Sequence, residues 1–455
     1  MCQNPSPTAN RNRPHKVRHR PLTVKPATLT LICTAALLCH SAGALAAKES
    51  VSALKQEIAG LKARLEVLEG LVMRLSKEPS YELVTVNPER TAVESAAVEP
   101  AVSKPEQKPR SSVTIGGALR FNMVYREDVD DSVGKRGESG LDIFRLNVDG
   151  SISNILVSAE YRFYSYMNTI HHGWVGYQFA DDSQLQIGIN QVPFGLLPYA
   201  AHNAWFGVPY YVGLADDYDM GIKYQRSDGP WNSQFAFYKN EELNDSASAD
   251  RYSYDLVREG DQQNEEVNQL NARLAYTFGL GSSCETELGA SLEAGQVYNT
   301  TNNERGDHRA AALHLDSRCG RWNLQLQGTR YDYDVADPAG VDDSVVRVGA
   351  FAGTYDIASD ADILVANLAY NFASTWEHID SITCYNDYSR LIKDLAGARD
   401  SQINTLGCAI GSGPIFTYLD YILANNMPYF GDGSLAAGGN DEWQSRLNIN
   451  IGYYW

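Results

Sequence analysis

Fixed cations recur along the chain from residue 111 onward, at positions where apolar and polar residues alternate. Guanidinium and ammonium groups that face water can replace the hydration shell of an ion, while carboxylates beside them compete for the same role. Each arginine can instead form one half of an ion pair that only braces a wall, and for any single residue that interpretation is favoured. The candidate charged groups of a water-facing wall are Arg120, Arg126, Arg145, Glu160, Arg162, Lys223, Arg273, Arg347 and Arg446.

Catalytic chemistry has no comparable signal. His171 and His172 are adjacent, and neighbours on an extended chain point to opposite sides, so they are not expected to share a metal. The carboxylate pairs Asp130–Asp131, Asp181–Asp182 and Asp342–Asp343 lie in turn-like segments, where solvation is favoured over binding of a divalent cation. No nucleophile elbow, phosphate loop or dinucleotide fingerprint occurs. We expect no enzyme activity, no catalytic residue, no metal site and no cofactor.

The first 47 residues predict a signal peptide. Six basic residues precede an apolar run, Leu29–Leu38, and small residues follow at Ala42–Ala47. A membrane anchor is the alternative. Removing residues 1–47 leaves 32 basic residues (38 less six) against 56 acidic residues, a net charge of −24. Such acidity argues against nucleic acid as a partner.

Four of the seven cysteines lie beyond this signal. An even number of cysteines in an exported chain favours disulfides. Because Cys284 and Cys319 each flank a short glycine-containing turn, we pair them with each other and pair Cys384 with Cys408. Four free thiols are the alternative.

Residues 48–78 predict an α-helical coiled coil that lies in the periplasm. Apolar residues recur there at spacings of three and four, which makes an a/d heptad seam: Val51, Leu54, Ile58, Leu61, Leu65, Leu68, Val72 and Leu75. Self-association is favoured over docking on another protein. Five prolines between 79 and 110 then predict an extended linker.

From residue 111 to residue 455 the hydrophobic period changes to two. About sixteen runs of alternating residues are separated by short turns, such as Asp181–Ser183 and Gly279–Gly281, and by longer polar loops. This pattern predicts an all-β transmembrane antiparallel barrel of about 16 strands, carrying the helical coiled coil as an N-terminal extension.

A soluble β-sandwich would show the same alternation, but two features favour the membrane barrel. Several runs end in aromatic pairs, such as Tyr276 and Phe278, which suit the girdles at a membrane interface. The last run, Leu447–Trp455, alternates and stops on an aromatic residue, and Tyr453 and Trp455 have the form of an outer-membrane assembly signal. We therefore expect an integral outer-membrane protein that contacts lipid, lipopolysaccharide and the barrel-assembly machinery.

The segment from about 112 to 455 resembles the phosphate-selective porins O and P. The resemblance is carried by Gly188–Gly195 (GINQVPFG) and supported by Tyr385–Ser389 (YNDYS). It implies a 16-stranded homotrimeric pore in which a loop, Val192–Asp217, folds into the lumen. An extracellular surface loop is the alternative. The constriction-loop candidates are Pro193, Phe194, Tyr199, Trp205, Tyr210 and Tyr211.

These patterns together predict a porin, a passive diffusion channel for small hydrophilic solutes or ions. The resemblance implies anion or phosphate selection by a ladder of arginine and lysine, whereas the acidic net charge favours cations. The alternative function is structural: a barrel whose coiled-coil stalk contacts peptidoglycan and tethers the membrane to the cell wall.

Overall fold

The computed structural model describes residues 111–439 and 442–455. The predicted signal peptide, coiled coil and linker lie outside these residues. The described chain forms a closed antiparallel barrel of sixteen strands, in which the first strand pairs with both the second and the last. The barrel strands are β1 (Ser111–Arg126), β2 (Glu138–Ile152), β3 (Ile155–Phe163), β4 (Asn168–Gln178), β5 (Gln184–Gln191), β6 (Tyr218–Asp228), β7 (Trp231–Glu241), β9 (Asn264–Phe278), β10 (Cys284–Asn299), β11 (Arg305–Cys319), β12 (Trp322–Asp334), β15 (Asp360–Phe372), β16 (Ser381–Lys393), β17 (Ser401–Ser412), β18 (Ile415–Asn425) and β19 (Gln444–Tyr454). The predicted fold of the barrel is confirmed.

Alternation along each strand separates an apolar outer face from a polar lumen. Val113 and Leu313 point outward and remain 63% and 69% exposed, while Asn190 and Asn271 point inward and are buried. An outer face of exposed apolar side chains on a closed barrel is the arrangement that lipid contact requires. Among the described residues, no helix combines the length and hydropathy needed to cross a bilayer.

Connections at the two ends of the barrel differ in length. The predicted turns at 181–183, 279–281 and 319–321 join β4 to β5, β9 to β10 and β11 to β12. The turn after Cys319 is the tightest of these three, and Gly320 has a φ of 60°, a conformation that glycine adopts without strain. Connections at the opposite end are mostly longer, and the longest of them enter the barrel or pack over it.

A second, small sheet is separate from the barrel wall and was not predicted. It consists of β8 (Asp255–Leu256), β13 (Val345–Ala350) and β14 (Gly353–Ala358), all antiparallel. Arg347 lies on β13 and pairs with Asp356 and Glu259. The expectation that Arg347 sits on a barrel strand is therefore wrong, because its alternating run belongs to the small sheet. Two short helices complete the secondary structure of the described residues, α1 (Asp130–Lys135) and α2 (Val208–Tyr211).

An apolar core fills part of the lumen instead of lying between two layers. Buried loop residues such as Val208 and Leu256 pack there against inward side chains of the strands, including Ile363, Leu391 and Ile422. Burial of each such side chain stabilises the fold by about 1.5–3 kcal/mol. The long connections are therefore anchored inside the barrel.

Both cysteine pairs are joined as disulfides. Cys284 lies directly opposite Cys319 across β10 and β11, and Cys384 lies directly opposite Cys408 across β16 and β17. Each bond therefore links two strands that are already neighbours in the barrel.

Candidate functional site

The segment 192–217, called here the inner loop, leaves β5 and returns to β6 through the interior of the barrel. Its base is closed by the Val192 amide, which donates to the Asp217 carbonyl at 2.9 Å. Between these ends the loop follows inward-pointing side chains of the distant strands β10, β12, β15 and β16. We call these side chains the loop-facing wall: Ser291, Asn323, Gln327, Asn367, Asp387 and Ser389.

Asp387 makes the densest set of contacts in this wall. Its Oδ2 accepts from the amides of His202 and Asn203 at 2.7 and 3.0 Å, and from the Asn203 side chain at 2.8 Å. Its Oδ1 lies 2.7 Å from Nδ1 of His202. Burial alone would lower the pKa of His202, but the hydrogen bond and charge of Asp387 outweigh it and raise that pKa above its ordinary value.

Backbone groups of the inner loop are satisfied by neutral side chains elsewhere along the wall. The amides of Leu196 and Val208 donate to Gln327 Oε1 and Ser389 Oγ, each at 2.8 Å. Gly195, with a φ of 60°, packs so close to Gln327 that a Cβ at this position would overlap its side chain. A loop buried inside a barrel needs such partners, because an unsatisfied backbone group would cost about 1–3 kcal/mol.

Two of the predicted pore cations are covered by the inner loop. Arg273 donates from Nε to the Gly195 carbonyl at 2.9 Å, and Lys223 donates from Nζ to the Gln191 carbonyl at 2.7 Å. Both side chains point inward, and both are buried. Arg273 therefore holds a carbonyl of the inner loop and pairs with Glu287, while Lys223 holds the carbonyl at the end of β5.

A cavity of about 1030 Å³ remains between the inner loop and the opposite side of the barrel. At one end it is lined by the β17–β18 turn, Gly413 and Pro414, beside Trp455. At the other end it is lined by Tyr166, in the connection from β3 to β4, and by Tyr429, in the connection from β18 to β19. The cavity therefore extends along the barrel from the short-turn end to the long-loop end.

Aromatic residues of the inner loop form one side of this cavity. Of the six predicted constriction-loop residues, Tyr199, Trp205, Tyr210 and Tyr211 contribute to the lining. Pro193 and Phe194 are buried and are not part of the lining. Tyrosines from several other elements, which the sequence did not single out, extend this surface: Tyr164, Tyr252, Tyr254, Tyr418 and Tyr454.

Three arginines lie across the cavity from the inner loop. We call this side the cavity-facing wall: Arg120, Asn122, Asp142, Arg145 and Arg162. Arg120 pairs with Asp142 at 2.7 Å, and Arg145 lies 3.5 Å from Glu160, which also accepts from Arg162. Arg162 further stacks over Tyr252, with 4.3 Å between the guanidinium carbon and the ring centre. Three of the predicted cations are thus together, held in fixed positions by acids and aromatic rings.

The other predicted cations lie apart from this cluster. Arg126 pairs with Glu138 at 2.7 Å near the end of β1. Arg446 is buried against Trp205 and Phe430, whose ring centres lie 4.5 and 4.2 Å from its guanidinium carbon. Neither residue belongs to the cavity lining.

Strand irregularities bring in residues that strict alternation misses. A register shift opposite Glu160 in β4 turns both His171 and His172 inward, and their Nδ1 atoms lie 2.9 Å apart. The expectation that these neighbours point apart is wrong for this reason. With Glu160 they could offer three ligand atoms to a metal. However, Arg162 already binds Glu160, and its positive charge opposes a cation there.

Comparison with known proteins gives the fold of the chain. No known protein family matches its sequence, and no curated protein matches it. OmpF of Salmonella typhi, solved with daunomycin, is 12% identical with a TM-score of 0.52, covering 75% of this chain and 97% of that one. The channel DcaP of Acinetobacter baumannii is 10% identical with a TM-score of 0.51, covering 76% and 97%. An anion-selective porin from Comamonas acidovorans is 14% identical with a TM-score of 0.50, covering 76% and all of that chain. The described barrel therefore has the fold of outer-membrane porins.

Proposed function

We propose that this protein is an outer-membrane porin, a passive diffusion channel for small hydrophilic solutes. The observation that carries the proposal is the cavity, which runs beside the inner loop and is lined at both ends of the barrel. A barrel that served only as an anchor would have no need to keep such a passage beside a loop that could fill it. The inner loop would set the width of the passage.

We propose further that the passage prefers anions. The cavity-facing wall carries three arginines, while Asp142 and the buried Glu160 supply two carboxylates close to them. The acidity of the whole chain does not describe this wall, because selectivity depends on the charges beside the solute. The local excess of positive charge supports anion passage and leaves the chemical identity of the anion undefined.

Conductance of the purified full-length protein in planar bilayers tests both proposals. We expect discrete conductance steps and, in a salt gradient, a reversal potential with the sign of anion preference. Neutralising two cavity arginines (R120Q/R145Q) should shift that potential toward cations. The matched control is R330Q, which removes an arginine that pairs with Asp360 and Asp362 and lies outside the cavity lining.

The outcomes separate the two proposals. A folded protein without conductance steps would overturn the channel. Steps with cation preference in the unmodified protein would overturn only the anion preference. The homotrimer, the lipopolysaccharide contact and the stalk that reaches the cell wall stay predictions, and the stalk concerns residues outside the described part of the chain.

A further inference from the structure

Three buried carboxylates converge where the inner loop meets the wall. Asp217 is the last residue of the inner loop, Asp219 begins the inward face of β6, and Asp255 lies on β8 of the small sheet. Each offers one oxygen, and the three oxygens lie within 4.8 Å of one another. The residues are 7%, 2% and 1% exposed, respectively. We call Asp217, Asp219 and Asp255 the acidic cluster.

More acids than cations surround this cluster. Glu241, Glu242, Glu266 and Glu293 are all buried close by. Among the described residues, the arginine that answers them is Arg251, whose guanidinium lies 3.3 to 3.7 Å from Asp255, Glu241 and Glu242. One guanidinium cannot balance seven carboxylates, and a buried unpaired carboxylate is costly unless it binds a cation or a proton.

Two oxygens at this place have no hydrogen-bond donor within the described chain. Asp219 Oδ1 is buried and has no hydrogen-bond partner, and the whole residue is only 2% exposed. Glu242 Oε2 is also buried without a hydrogen bond, and the guanidinium of Arg251 lies 3.7 Å from it. Since more than nine in ten buried polar groups find a partner, these oxygens need a partner that the described chain does not supply.

We propose that Asp217, Asp219 and Asp255 bind a divalent cation of the calcium class, with Glu242 as a further oxygen donor. The donor set is carboxylate oxygen alone, which suits a hard cation and not zinc or copper. Calcium accepts six to eight oxygens in irregular geometry, whereas magnesium demands a near-ideal octahedron and retains its waters. A crowded, buried group of carboxylates therefore favours calcium.

The electrostatics of the surrounding groups support this assignment. Burial raises the pKa of Asp217, of Glu242 and of Asp255 above the ordinary carboxyl range. A bound dication would offset that cost directly. The contrast with the Glu160–His171–His172 group is informative, because there the guanidinium of Arg162 already supplies the positive charge.

The ion would join three elements that are remote in sequence. It would fix the end of the inner loop to β6 and to the small sheet, so that the loop is held at its base as well as along the loop-facing wall. This role does not depend on conduction and would hold even if the barrel passed no solute.

Metal binding to the full-length, folded protein tests the site. The protein is first treated with a chelator and then titrated with calcium alone in a calorimeter. The titration should show one high-affinity site per chain. Terbium luminescence excited through tyrosine should saturate at the same stoichiometry and be displaced by calcium. Replacing two ligands (D219N/D255N) should weaken calcium affinity at least about tenfold. The matched control is D342N/D343N, an exposed acidic pair, which should leave the affinity unchanged.

The result that would overturn the proposal is the absence of saturable calcium binding in the chelator-treated wild type. Equal loss of affinity in the control pair would also overturn it, because binding would then follow surface charge. If D219N/D255N fails to fold, the single variant E242Q serves instead, with the metal content of the dialysed wild type as a second measurement. Less than about 0.5 calcium per chain in the dialysed protein, at a calcium concentration that saturates the titration, would reject the site.

Discussion

The cavity-facing wall and the loop-facing wall of this barrel present different polar residues to the interior. Both consist of inward positions of alternating strands, and both are polar. The cavity-facing wall uses charged groups, such as Arg120 with Asp142 and Arg145 with Glu160. The loop-facing wall uses mostly amides and hydroxyls, such as Gln327, Asn367 and Ser389. The difference follows from what covers each wall, because water solvates a charge and a packed loop does not.

Asp387 is the charged member of the loop-facing wall, and like Arg273 under the same loop it shows that a buried charge there has its hydrogen-bond partners in place. It faces four donors of the inner loop, one of them the His202 ring. The acidic cluster at the base of the same loop lacks such a set of donors. Asp387 has its hydrogen-bond donors, whereas the acidic cluster does not have enough of them. This contrast supports a bound cation at the acidic cluster.

Among the changes considered, removal of the Asp387 carboxylate should have the largest effect on stability. Asp387→Ala leaves the His202 and Asn203 donors buried and unpaired, so we expect the free energy of unfolding to fall by about 4 kcal/mol. The inner loop should also become looser and single-channel conductance larger and noisier. Urea unfolding of the protein in lipid vesicles, together with bilayer recordings, measures the two effects.

The control for this change is its neighbour in sequence. Asn386 points outward and pairs with Asn404 on the outer face. Asn386→Ala should cost less than about 1 kcal/mol and leave conductance unchanged. Similar losses in both variants would show that β16, and not the attachment of the loop, is sensitive.

A second prediction places the same charge on each wall. Gln327→Glu puts a carboxylate under the inner loop and removes the donor to Thr329, so we expect a loss of about 3 kcal/mol. Asn122→Asp puts a carboxylate beside the cavity, where water and Arg120 are near, and should change stability by no more than about 0.5 kcal/mol. Thermal unfolding of the two variants in one detergent compares them directly. Equal losses would mean that the two walls do not differ in their exposure to water.

Sequence periodicity was sufficient to predict the barrel, because each strand can be recognised from the alternation of its own residues. Five cations on these strands point inward: Arg120, Arg145, Arg162, Lys223 and Arg273. The period of two cannot say which of them meets water, because that depends on where the inner loop lies, and its partners on β10 to β16 are remote in sequence. The loop-facing wall is thus specified by long-range hydrogen bonds that leave no periodic trace.

Two errors of the sequence reasoning have local causes. Arg347 lies in a run that alternates as a barrel strand does, yet the run forms a hairpin of the small sheet. His171 and His172 both turn inward because β4 contains a register shift, and one extra residue reverses the faces that follow it. The acidic cluster was missed for a different reason: its members come from three elements that meet only when the inner loop closes.

The smallest expected effect is a pH dependence of the attachment between His202 and Asp387. Because the pKa of His202 is raised in the folded protein, protonation stabilises the fold. That contribution is fully present below its ordinary pKa of 6.5 and is lost as the pH rises through the raised value. Wild type should therefore lose stability between about pH 6 and about pH 9 relative to H202Q, which cannot be protonated. Urea unfolding at both values measures the difference. Parallel losses in the two proteins would assign the pH dependence to other groups, and the loop-facing wall would then hold the inner loop through neutral hydrogen bonds at that position as well.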